Sequence, residues 1–148
     1  MQRAVLLVTA LAASLTVPST SPAGADASGR VAGADRYATA AAVSAATFPA
    51  GVPAAFVVTG GSYPDALTAG PAAARAGGPV LLTGRDTLPA VTAAELDRLR
   101  PGRIVVVGGT GAVSESVRSA LERHTDGAVT RVSGADRYAT ADTAAAVA

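Results

Sequence analysis

Arg36 and Arg137 stand where a cation is least expected. Each falls in the predicted first turn of a helix, where the aligned peptide dipoles favour an anion and oppose a positive charge. Both belong to one eleven-residue string, Arg30-Val-Ala-Gly-Ala-Asp-Arg-Tyr-Ala-Thr-Ala40, which recurs 101 residues later as Arg131 to Ala141 with Ser133 in place of Ala32. A guanidinium fork beside exposed helix N–H groups can hold an external carboxylate or phosphate. The same placement also serves an internal purpose: an ion pair with Asp35 or Asp65, or hydrogen bonds to strand-end carbonyls. The residue types leave both readings open.

The neighbours of these arginines divide similarly. Asp35 and Asp136 are expected as N-caps or first-turn acids. Tyr37 and Tyr138 can stack on a sugar ring or pack as half-buried helix tyrosines. Asp65, in Tyr63-Pro64-Asp65, sits on a strand-to-helix connection, a usual place for function. It either caps its own helix, the simpler expectation, or answers an arginine. Thr39 and Thr140 are expected to pack along their helices.

Other chemistries find little support. Gly109-Thr110-Gly111 supplies two glycines of a dinucleotide fingerprint, but Ser114 stands at the third, and Asp126 precedes the next strand instead of ending it. All basic residues are arginine, so a Walker lysine is excluded. With one histidine and no cysteine, a metal centre is hard to build and thiolate sites are unavailable. His124, flanked by Arg123 and Thr125, is expected at a solvated helix end. A nucleophile elbow of the form G-x-S-x-G does not occur. These features predict no catalysis, no cofactor and no metal.

The elements that must position the string follow from periodicity. Ala54 to Thr59, Pro79 to Thr83, Ile104 to Val107 and Ala128 to Val132 are short apolar runs rich in β-branched residues, and read as buried strands. Between them, Pro64 to Ala76 is helical, with a break or kink expected at Gly70-Pro71. Leu88 to Leu99 is amphipathic, with Val91, Leu96 and Leu99 inward and Glu95, Asp97 and Arg98 outward. Pro101-Gly102 stops it. A further helix, N-capped by Ser114, is expected to reach about Arg123. Uniformly apolar strands alternating with helices predict an α/β unit: an open, mainly parallel sheet covered by helices on both faces, Rossmann- or flavodoxin-like. The string and the glycine loops should then share the carboxyl edge of the sheet, where such folds bind ligands.

Recurrence at a fixed offset marks a repeat architecture. Residues 30–130 make one complete unit, and 131–148 begin a second. Ahead of them, a short basic start, an apolar run from Ala4 to Val17 and a small-residue stretch predict a signal peptide over residues 1–25, cut after Ala25 or Ala27. That apolar run is shorter than the roughly 20 residues a bilayer needs, so no transmembrane segment is expected after cleavage. The formal charge of the whole chain is +1, and cleavage after Ala25 removes Arg3 and brings it to zero. Such neutrality argues against a polybasic grip on nucleic acid or membrane. Any anion must be held by a few placed arginines.

The string Arg30 to Ala40, with Tyr63-Pro-Asp-Ala-Leu-Thr-Ala-Gly-Pro-Ala-Ala, Pro79-Val-Leu-Leu-Thr and Val105-Val-Val-Gly-Gly, resembles the type 2 cell-wall-binding repeat of Gram-positive surface proteins. The resemblance runs over nearly all of Arg30 to Ala148. It implies a non-catalytic, secreted module that anchors its protein to the cell wall by binding an anionic secondary wall polymer. Three tandem copies packed about a pseudo-threefold axis are usual, so further repeats in cis, or a homotrimer in trans, are implied as partners. By position, Arg30, Arg36, Tyr37, Arg131, Arg137 and Tyr138 match the opening motif, and Asp65 matches the acid of the second. The alternative from residues alone is an exported α/β enzyme or binding protein acting on a phosphorylated sugar at the glycine-loop edge.

Overall fold

A computed structural model describes residues 29–134, together with Thr143 and Ala146. The expected signal peptide, and with it Asp136, Arg137, Tyr138 and Thr140 of the second string, lie outside the described residues. Over residues 29–134, four strands and four α-helices alternate in the order α1 (Arg36–Thr47), β1 (Ala55–Thr59), α2 (Tyr63–Ala76), β2 (Val80–Thr83), α3 (Ala90–Leu99), β3 (Ile104–Val107), α4 (Glu115–Leu121) and β4 (Val129–Val132). All pairings are parallel, and the strands lie in the order β2-β1-β3-β4. The expected α/β class with a parallel sheet is the one observed.

Period-two alternation sorts the strand side chains into two apolar layers. Val57, Leu81, Ile104 and Val106 face one way and pack with Leu96 and Leu99 of α3 and Val117 and Leu121 of α4. Phe56, Val58, Val105 and Val107 face the other way, against Ala69, Ala72 and Ala73 of α2. On that side the helix offers only alanines, so its backbone can approach the sheet and Phe56 supplies most of the filling volume. Helix α1 packs against β2 and α3.

Several local expectations change. Helix α2 runs unbroken through Pro71. Proline at this position deprives the Leu67 carbonyl of its partner, but Leu67 is 76% exposed, so water can satisfy that carbonyl. Helix α4 is shorter than expected, passing at Leu121 into a 3₁₀ turn, Glu122–His124. Ser114 precedes α4 as expected, yet its hydroxyl pairs with Ser116 Oγ at 2.8 Å and does not cap the helix. On α3, Leu96 and Leu99 are fully buried as expected, but Val91 is exposed and Glu95 is buried. Arg98 causes this exchange: it follows Glu95 by one turn and grips both carboxylate oxygens, at 2.7 and 2.8 Å, while also donating to the Phe48 carbonyl at the end of α1. The ion pair clamps α1 to α3.

Burial pushes the Glu95 carboxyl up, but hydrogen bonding from Arg98 and then Ser44, together with the Arg98 charge, outweighs it and holds the group below the ordinary glutamate value. Its ionised form therefore stabilises the fold above the unfolded value, about 4.3 for glutamate. That stabilisation is lost as pH falls through the lower folded value. Urea midpoints measured from pH 7 to pH 3 are expected to fall less steeply at the acid end in Glu95→Gln than in the parent chain, with Glu95→Gln less stable at pH 7.

Candidate functional site

The repeated string is a helix entry before it is anything else. Asp35 caps α1 by accepting from the Ala38 N–H at 2.8 Å. The Thr39 hydroxyl donates to the Asp35 carbonyl at 2.8 Å and accepts from the Gly33 N–H at 3.0 Å. Thr39 thus ties the entry loop to the first turn, a bonding role where packing was expected. The Gly-x-Asp-x-x-x-Thr spacing of the string is accounted for by these bonds.

Two arginines then act on two glycines in parallel fashion. Gly60 follows β1: its N–H donates to the Thr83 carbonyl of β2 at 2.8 Å, and its own carbonyl accepts from Arg36 Nη1. Gly108 follows β3: its N–H donates to the Val132 carbonyl of β4 at 2.8 Å, and its carbonyl accepts from Arg131 Nη1 at 2.9 Å. Each guanidinium satisfies a strand-end carbonyl at the point where its chain leaves the sheet. As expected, the string and the glycine loops share the carboxyl edge.

Their remaining chemistry differs. Arg131 also reaches Glu115 Oε2 at 3.1 Å, and its side chain is only 16% exposed. Glu115 in turn pairs with Arg118, whose hydrogen bond, with help from Arg131, holds the Glu115 carboxyl below its usual value. The Arg131 charge is therefore answered internally. Arg36 is an exposed residue, and among the described residues no carboxylate lies within ion-pair distance of it. Neither Asp35 nor Asp65 answers it; its internal partner is the Gly60 carbonyl. A guanidinium carries five N–H donors, so the Gly60 bond leaves most of the fork available.

Tyr37 is half-buried and lies against Gly60 so closely that a β-carbon there would fall 2.7 Å from its ring. Beside this pair a groove of about 270 Å³ opens, lined by Arg36, Gly60, Ser62, Tyr63, Ala66 and Leu82. Tyr63 on its rim is 77% exposed. Sequence reasoning did not single out Tyr63 for this role, although an aromatic directly before a helix-starting proline was a usable signal, and the helix in fact begins at Tyr63. Arg30 is exposed, three residues ahead of the helix entry.

Asp65 does not cap its helix, and among the described residues no arginine pairs with it. From the first turn of α2 its carboxylate leans over Gly108, with Oδ2 2.9 Å from where a β-carbon would stand. The strand order reverses direction between β1 and β3, which makes this the switch-point crevice where open α/β sheets usually take ligands. Here a carboxylate occupies it. The carboxyl edge is thus divided: an unneutralised Arg36 beside an apolar groove at Gly60, and at Gly108 a balanced set in which Arg131 and Arg118 stand with Glu115 and Asp65. A larger hollow of about 610 Å³ lies between the α3 entry and α4, lined in part by Asp86, Arg123 and His124, and includes no residue of the string. His124 is not solvated as expected: its ring pairs with Asp97 at 2.6 Å and is 12% exposed. Among the described residues no cluster of three or more His, Asp or Glu could hold a metal ion.

Comparison with known proteins bears on what this edge serves. The model of the family described as cell wall binding domain 2 matches residues 30–118, from the start of the string into α4. The chain belongs to the cell wall binding domain 2 family. It is a cell-wall-binding module, and proteins with this domain are surface proteins associated with the wall. Among its relatives, the N-acetylmuramoyl-L-alanine amidase LytC of Bacillus subtilis is 36% identical over 119 residues, covering 80% of this chain and 23% of that protein. The amidase enhancer of the same organism is 36% identical over 111 residues, covering 74% and 15%. Among solved structures, Cwp8 from Clostridium difficile superposes with a TM-score of 0.72 at 31% identity, covering 79% of this chain and 21% of that one. Cwp6 from the same organism gives 0.70 at 35% identity, covering 74% and 17%. The chain spans less than a quarter of the length of each of these proteins. The cell wall binding domain 2 is a binding module, and the word amidase in a relative's name belongs to a protein several times longer than the match.

Proposed function

We propose that this cell wall binding domain 2 unit holds an anionic polymer of the wall at the Gly60 side of its carboxyl edge. Arg36 supplies the charge and Tyr37 and Tyr63 the flat apolar surfaces. The observation that carries this is the contrast between the two strand-end arginines: Arg131 is neutralised by Glu115, whereas Arg36 spends one donor on a carbonyl and, among the described residues, has no acid against it. Its cation therefore sits beside a groove with donors to spare. Arg137 and Tyr138 would repeat the arrangement in the next unit, and Arg30 adds a second exposed cation. The acid over Gly108 argues against the runner-up reading, since Asp65 repels a phosphate from the crevice an α/β enzyme would use. The module is read as non-catalytic and exported behind residues 1–25. Residues 30–130 are one unit and 131–148 the start of the next, and further units join it in cis or as a homotrimer.

Binding to purified walls, measured by pull-down before and after chemical removal of their anionic polymers, tests the reading; equal binding to both would defeat it. Arg36→Ala is expected to weaken wall binding about tenfold, in line with losing about 1.5 kcal/mol from a hydrogen bond to a charged group. The residual difference should shrink as salt screens the charge. Unchanged binding by folded Arg36→Ala would confine Arg36 to its bond with Gly60.

A further inference from the structure

The two copies of the string begin in different structural states. In the second, Arg131 and Val132 are in β4, the outer strand, in register with Val106 and Val107 of β3. Val132 is 2% exposed there, and Arg131 bonds both the Gly108 carbonyl and Glu115. In the first copy the matching residues, Arg30 and Val31, belong to no strand; both are exposed, Val31 at 44%. Gly33, Asp35 and Thr39 then begin α1 as a helix of this same unit. Each string therefore straddles a joint. The first two residues of the second string finish a sheet, and the later residues of the first string start a helix.

We propose that Arg30–Val31 is a joining strand, which adds as the fourth strand to the sheet of another unit of this family, in the place β4 takes beside β3. Val31 lies opposite the residue equivalent to Val107, and Arg30 opposite that equivalent to Val106. The guanidinium then caps a glycine carbonyl like that of Gly108 and meets a carboxylate like that of Glu115. The partner is recognised by that combination of an open parallel edge, a strand-end glycine and an acid on the following helix. Edge strands present unpaired backbone groups that accept such an addition. Because the donor and acceptor surfaces differ, the contact is head-to-tail, and a set of units linked this way closes into a ring if the rotation allows.

The sequence also explains why the segment stays free in this chain. The residues before Arg131 are Val129 and Thr130, whereas those before Arg30 are Ser28 and Gly29. Glycine and serine lower the strand propensity, leaving Arg30 and Val31 as the only shared anchors. The β3 edge of the same chain is already filled by β4, whose tether gives it the advantage of a high effective concentration. Joining therefore requires a unit whose β4 place is vacant or loosened.

This inference rests on the reading of the chain as one unit of a set, but not on wall binding, and the two fail separately. In the full chain, Val132→Asp puts a charge at a buried strand position and loosens β4. Sedimentation is expected to show it assembling into dimers or larger species, and adding Val31→Asp, which leaves Arg30 in place, is expected to return it to monomer. A folded, monomeric Val132→Asp chain would overturn the proposal. Should that charge unfold the chain, Val132→Ala replaces it, combined with Val31→Cys, the only cysteine, carrying a benzophenone. Irradiation is then expected to link copies through residues 104–108 of the neighbour, several-fold more than with Val132 intact. No increase at those residues overturns the joining strand. Wall pull-down on the monomeric variants reads the anchoring function independently.

Discussion

Replacing Phe56 by alanine is expected to cost about 3–5 kcal/mol of folding stability, the upper range for truncating a buried aromatic. Phe56 is fully buried in the centre of β1 and pairs in register with Val80 on one side and Val105 on the other. The helix above it presents Ala69, Ala72 and Ala73. Alanines have no rotamers with which to collapse into a void, so the cavity stays open and the cavity cost adds to the lost transfer energy. Small domains hold about 5–15 kcal/mol in all, so this one change removes a large share of the total. Urea unfolding with the parent chain as reference measures it. Phe56→Leu, which keeps most of the volume, is expected to cost less than half as much. A Phe56→Ala cost below about 1.5 kcal/mol would mean that α2 settles onto the sheet, contrary to the rigid packing argued here.

The same layer shows what was readable from sequence. β-Branched runs such as Ile104–Val107 can be buried in few ways, and all four strands fall within a residue or two of expectation. Helix existence was equally legible. Side-chain direction on helices was less so, because ion pairing overrides polarity: Glu95 is inward since Arg98 follows it at hydrogen-bonding distance, and Val91 yields its place. Close backbone approach was legible in principle. Gly78, Gly102 and Gly127 each stand two residues ahead of a strand. At Gly78 and Gly127 a β-carbon would fall 1.8 Å from the carbonyl oxygen of the neighbouring segment, at Ala54 or Gly102. Spacing of that kind marks where parallel strands begin.

At the site, the residues were legible and the choice among their partners was not. The string pointed to Arg36, and the choice between an acid and a strand-end carbonyl depends on which way the guanidinium reaches across the sheet edge, a tertiary fact. Asp65 shows this from the other side. Its first-turn position makes capping the obvious expectation, yet the crevice between β1 and β3 lies directly before it and takes the carboxylate. Arg36 and Arg131, the seventh and first residues of the string, both reach strand-end glycines, and Glu115, 16 residues before Arg131, separates the neutralised arginine from the available one.

Gly108→Val should join these observations in one measurement. The backbone at Gly108 has φ of +114°, a region side chains rarely adopt, and a β-carbon would lie 2.9 Å from Asp65 Oδ2 and 3.1 Å from Ala112 Cβ. Strain in such a conformation costs about 1–3 kcal/mol by itself, and a β-branched side chain meets the carboxylate besides. The combined loss is expected to be about 3 kcal/mol. Its consequence is directional: both backbone groups of Gly108 hold β4, through the Val132 carbonyl and Arg131, so displacement loosens that strand first. Hydrogen exchange should therefore rise in residues 129–132 before it rises in β1. The adjacent Gly109→Val is the control, since a β-carbon there meets nothing within 4 Å, and its cost is expected to stay within about 0.5 kcal/mol, as for ordinary surface changes. If the two variants lose equal stability, the pinning of β4 through Gly108 is refuted.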